Sequence, residues 1–175
     1  MAQPPSRPGL NYRYFYWNEA LLSQATDLPI KDLRAYFTDG RRASFLIERR
    51  LARRLGWRLA DSERDPYDLI DNGAPAGKWE VRCVTARGVN FSPSGDQGSG
   101  RKFTELSLMQ KLNQLRGFIL ADIVVFPRVT FYFFPVKTVR GWYNDGKLNA
   151  NAFLPYARFS SLLAQDADDP KNYGQ

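Results

Sequence analysis

Asp68 in PYDLID precedes Glu80 by twelve residues, and Arg82 follows Glu80 by two within GKWEVRCVT. That second stretch alternates. In an extended strand Trp79, Val81 and Cys83 point one way, and Lys78, Glu80 and Arg82 point the other. The turn-rich DNGAPAG between the two segments predicts a β-hairpin, which sets Asp68 across from Glu80. Two carboxylates on adjacent strands can converge on one Mg²⁺, a hard cation that takes oxygen ligands and keeps waters for chemistry; Mn²⁺ would substitute. A guanidinium on the face of Glu80 can then steady an attacking water or the charge that develops at phosphorus.

The remaining composition narrows the chemistry. The chain of 175 residues holds no histidine and a single cysteine, Cys83. Histidine-based nucleases, Ser-His and Cys-His catalysis, ordinary zinc hydrolase sites and internal disulfides are therefore excluded. The tools left are carboxylates, Arg, Lys, Tyr and a hard metal. Lys plus Arg number 25 against 18 Asp plus Glu, and most of the cations are arginine, which forks onto phosphate. Nucleic acid is the expected partner. No apolar run has the length of a membrane span, and MAQPPSRPG carries no hydrophobic segment of signal-peptide type, so a cytoplasmic location is expected.

These residues need elements to hold them. A 43% hydrophobic chain of this length predicts one domain over residues 1–175, with a Pro-rich tail at about 1–10. NEALLSQA and PIKDLRAYF read as short helices opening at Asn18 and Pro29, and RRASFLIERRLARRLG as a longer one closing at Gly56. WRLAD, PYDLID and KWEVRCVT read as strands, residues 103–116 as a helix, FILADIVVF as a buried central strand, VTFYFFPV as another, and LPYARFSSLLAQ as a last helix. The sum is an α/β domain: a mixed sheet flanked by helices. On the long helix, Ser44, Glu48, Leu51, Ala52 and Leu55 share a face opposite Arg49, Arg50, Arg53 and Arg54. Glu48 thus sits in an apolar stripe and calls for a cation or metal nearby.

The set Asp68, Glu80-Val81-Arg82 and Glu48, on helix, strand, hairpin, strand, helix, strand, resembles the PD-(D/E)XK nuclease superfamily, closest to its type II restriction endonucleases. The resemblance covers about residues 41–136. It implies a restriction-endonuclease-like core, with Asp68 and Glu80 as metal ligands and Glu48 and Arg82 as further catalytic residues. Arg82 stands where that family has lysine, and a permanently protonated arginine cannot serve as a general base. Lys78, or Lys111 from the following helix, could supply an amine instead.

The Gly/Ser-rich loop after the second strand brings Arg87, Arg101 and Lys102; together with Lys78 they are the expected contacts to double-stranded DNA. Trp142 and Tyr143 could stack on bases, although core packing is the commoner use of such rings. A homodimer is expected, because a two-fold enzyme with one site per subunit can cut both strands of a palindrome. Two function classes follow: a Mg²⁺-dependent DNA endonuclease, of restriction type or of repair or junction-resolving type, and a basic nucleic-acid-binding module with the fold but without the chemistry.

Overall fold

A computed structural model describes residues 12–62, 65–93 and 102–168. In chain order the elements are β1 (Tyr12–Tyr16), α1 (Glu19–Thr26), α2 (Ile30–Phe37), α3 (Gly40–Leu55), β2 (Arg58–Leu59), β3 (Leu69–Ile70), β4 (Lys78–Val84), β5 (Gly88–Asn90), α4 (Glu105–Gln114), β6 (Gly117–Asp122), β7 (Arg128–Pro135), α5 (Val136–Asn144), β8 (Phe153–Pro155) and α6 (Tyr156–Asp168). The fold is mixed α/β. Six strands form one sheet in the order β1-β7-β6-β4-β3-β2, and β5 and β8 form a two-stranded ribbon. Within the large sheet β4 and β6 run parallel, joined by the α4 crossover, while the other neighbours are antiparallel. The aromatic run at 11–17, given no element by its pattern, supplies β1, which pairs with β7. Among the described residues no helix is long and apolar enough to cross a membrane.

The β6 strand explains its own sequence. Phe118 and Leu120 pack into one apolar cluster with Leu108 and Leu112 of α4, Val139 and Trp142 of α5, and Phe159 and Leu162 of α6. Ile119 and Ala121 pack on the other side with Ala43, Ile47 and Leu51 of α3 and with Val81. A strand covered on both faces reads as one continuous apolar run. Trp142 is therefore a core ring and not a base-stacking one.

The α3 helix fixes the site from one side. Asp39 caps it by accepting from the Arg41 amide at 3.0 Å, and Gly56 ends it with φ 68°. Gly40 begins it because the first turn lies hard against β4: a Cβ there would meet Cys83 Cβ at 3.1 Å and Thr85 Cγ2 at 3.2 Å. The buried stripe is Ala43, Ile47, Leu51 and Ala52, so Ser44 and Glu48 face the rim of the core and not its centre. Arg50 is not on a solvated side: its guanidinium lies 3.8 Å from the Phe15 ring centre and 4.4 Å from that of Trp17.

Candidate active site

The predicted hairpin is present, but short. β3 pairs with β4 through Leu69↔Trp79 and Ile70↔Lys78, with one further backbone bond at each end, from the Asp68 amide to the Trp79 carbonyl and from the Asp71 amide to the Gly77 carbonyl. Beyond that point the Asp68 side chain continues what the backbone stops doing: its Oδ2 accepts from the Val81 amide at 2.7 Å. Among the described residues, the remainder of β4 has no strand partner on this side. There a cleft of ≈ 1090 Å³ opens between β4 and the first half of α3, with Glu48, Asp68, Glu80 and Arg82 in its wall. The four residues singled out for chemistry are thus brought together.

Glu80 is the centre of the charge cluster. It is 5% exposed, and Lys111, 6% exposed, donates to its Oε1 at 2.5 Å. The same ammonium lies 2.5 Å from Oε2, although at an angle that makes no hydrogen bond. Arg82 forms an ion pair with Glu80 Oε1 and donates to the Ser92 carbonyl at 3.0 Å. Among the described residues, Glu80 Oε2 and Arg82 Nε are buried without a hydrogen-bond partner. Burial, and then the charge of Arg82, hold the Lys111 ammonium below its ordinary value, against the pull of Glu80.

The other two carboxylates feel burial and one another. Desolvation first and the Glu80 charge second raise Asp68 to about 6, opposed by the Val81 amide, Arg82 and Lys111. Desolvation and then Asp68 raise Glu48 to about 7, with Arg49 and Arg82 opposing. Acids pushed toward neutrality in a cleft fit general acid–base chemistry, a site that wants a cation, or a buried ion-pair network. Among the described residues no three His, Cys, Asp or Glu side chains stand as a ready-made metal set. Asp68 and Glu80 nevertheless have the donor chemistry of a hard dication. Asp68 bears a raised carboxyl, Glu80 is already paired with Lys111 and Arg82, and Mg²⁺ needs only one or two carboxylates, with water and phosphate completing its shell.

The outlying expectations divide. Arg87 is exposed on the cleft wall. Lys102 is exposed and outside the residues lining the cleft. Lys78 is also outside them, its ammonium 4.6 Å from the Tyr67 ring centre. Arg101 lies outside the described residues. Lys111 carries the same signal in the sequence that marked Glu48: buried Leu108, Lys111, Leu112 and Leu115 recur at helical spacing, so a charge sits in an apolar stripe. Asp71, by contrast, belongs to the turn. Its carboxylate accepts from the amides of Gly73 and Gly77, from Trp79 Nε1 and from Arg116 Nη1, at 2.7 to 2.9 Å.

Set against protein-family models, curated proteins and solved structures, the chain matches none of them.

Proposed function

We propose that this protein is a metal-dependent nuclease that hydrolyses phosphodiester bonds in DNA, built on a restriction-endonuclease-like core. The observation that carries the reading is the convergence of Asp68, Glu80 and Arg82 on the wall of one cleft, with Lys111 bonded to Glu80 from the buried side, on the succession α3, β2, β3, β4, β5, α4, β6. Asp68 and Glu80 would hold Mg²⁺ or Mn²⁺. Such an ion, when bound, acidifies a water and neutralises charge on the scissile phosphate. Asp68 is fixed in place by the Val81 amide, and Glu80 by Lys111 and Arg82. The Arg82 guanidinium stabilises the charge that builds at phosphorus. Lys111 is the cation of the cluster that can also release a proton, and so stands in for the lysine that Arg82 replaces. Glu48, at about 7, changes charge near neutral pH, as a general acid or base must.

The excess of arginine, with Arg87 on the cleft wall, suits a phosphate backbone. Double-strand cleavage by a homodimer is the assembly we favour, one site for each strand. One observation supports the alternative of a binding module without chemistry. Glu80 already has two cations beside it, as a purely structural cluster would. Incubation with plasmid DNA and Mg²⁺ separates the readings. Discrete fragments are expected, and Asp68→Ala should abolish them while leaving DNA binding in place. Nicking or junction cutting would move the reading to repair. Intact plasmid with a gel shift, or normal cutting by Asp68→Ala, would overturn the assignment.

A further inference from the structure

The outer surface of α3 has a composition that the cleft does not use. Arg42, Phe45, Leu46, Arg49 and Arg53 fall within one arc of about 100° on the helix. All five are exposed, Phe45 at 46% and Leu46 at 38%. Tyr36, 39% exposed at the end of α2, joins the arc where the Arg42 guanidinium lies 6.0 Å from its ring centre. The Arg49 guanidinium lies 3.4 Å from the Phe45 ring centre. Among the described residues no ion pair joins Arg49 or Arg53 to an acid, and α3 as a whole carries six arginines against one glutamate. The stripe is continuous with the cleft, because Arg41, one turn from Phe45 and 94% exposed, is also in the cleft wall.

Rings interleaved with exposed arginines, of which Arg49 and Arg53 pair with no acid among the described residues and Arg42 shares Asp39 with Arg41, restrict the partner. A peptide of acids alone would satisfy the arginines and leave the rings in water. A duplex would offer phosphates, but its bases are stacked inside and present no faces to Phe45 or Tyr36. An unpaired strand offers both at once: a backbone charge for each arginine and a π-face for each ring.

We infer that the α3 stripe is a platform for single-stranded nucleic acid, which it feeds along Arg41 into the cleft. This deepens the nuclease reading and rests on it for what happens in the cleft: beside the cut in a duplex, a locally unpaired segment of one strand lies along α3.

The test is fluorescence anisotropy with a labelled oligothymidylate of about 16 nucleotides and a duplex of equal length, in EDTA so that binding is read without cleavage. The single strand is expected to bind more tightly. Phe45→Ala should weaken it by about 5- to 100-fold, with the duplex little changed, and Phe45→Trp should restore it. Tyr36→Ala is a second variant with the same expectation, and thermal unfolding checks that each is folded. Arg49→Gln combined with Arg53→Gln should make the salt dependence shallower by about 0.7 in log–log slope for each phosphate that is no longer neutralised. Equal or tighter duplex binding, unchanged affinity in both ring variants, or polyglutamate competing as well as the oligonucleotide would overturn the inference. Ring-dependent binding by a protein that leaves DNA uncut in Mg²⁺ would overturn the nuclease reading alone. Cutting that is indifferent to both rings would overturn the platform alone.

Discussion

Replacing Asp68 with asparagine should stabilise the metal-free protein. The carboxylate is raised from 3.8 to about 6, chiefly because it is desolvated and beside Glu80. A rise of that size means that the ionised form costs the folded state about 3 kcal/mol relative to the protonated one. The sign follows from proton linkage. The folded state holds the proton more tightly, so stability falls as pH rises from about 4 to 6 and is level above that. Asparagine mimics the protonated acid and can still accept from the Val81 amide. At pH 8 the expected gain is between about 1 and 3 kcal/mol, solvent in the cleft taking the rest, or about 2–10 °C in Tm for a chain of this length. At pH 5 the gain should shrink to about half. The assay is thermal unfolding followed by circular dichroism at pH 5 and pH 8 in EDTA, then repeated with Mg²⁺. Added Mg²⁺ should raise the Tm of the parent at pH 8 and leave Asp68→Asn where it was, since only a ligand that binds the folded state shifts it. An Asp68→Asn protein less stable than the parent at pH 8, or a gain that does not vary with pH, would refute the electrostatic account of the cleft.

Two further outcomes follow from the same cluster and its supporting turn. Arg82→Ala should lower the cleavage rate by about a hundred- to a thousand-fold, the usual effect of removing one group that stabilises transition-state charge, whereas Arg82→Lys should keep measurable activity; single-turnover kinetics on plasmid DNA would check both. Asp71→Ala strips the acceptor from four donors in the turn before β4 and should cost about 3 kcal/mol in denaturant unfolding, with the Mg²⁺ response per folded molecule unchanged.

The parts of this fold that were legible in the sequence are those with a local physical cause. Asn18 and Gly56 mark helix ends because a side-chain cap and a left-handed residue act within one turn. The 118–121 run reads as a central strand because it is buried on both faces. The hairpin of PYDLID and KWEVRCVT is legible through its turn. What failed depended on distant partners. β3 is two residues long, where six were expected, because the Asp68 carboxylate takes over the ladder at Val81. α5 begins at Val136, immediately after a strand whose aromatic composition masks the change of period. The α3 wheel placed Glu48 correctly on a covered side but missed Ala43 and Ile47, since only the sheet decides which flank of a stripe is deepest. Of the candidate site, the shared neighbourhood of Asp68, Glu80 and Arg82 was legible from spacing, and that of Glu48 from the helical projection. The closeness of Lys111 to Glu80 was not, because it arises from the α4 crossover between two parallel strands.

The bond from the Val81 amide to Asp68 has a consequence for solubility. A strand whose neighbour stops after two residues presents open donors and acceptors, the template on which another chain can add itself. Here a charged side chain occupies the first of those donors, and the opening turn of α3 lies against the backbone further along at Cys83. The carboxylate proposed to hold the metal is therefore also a guard against self-association.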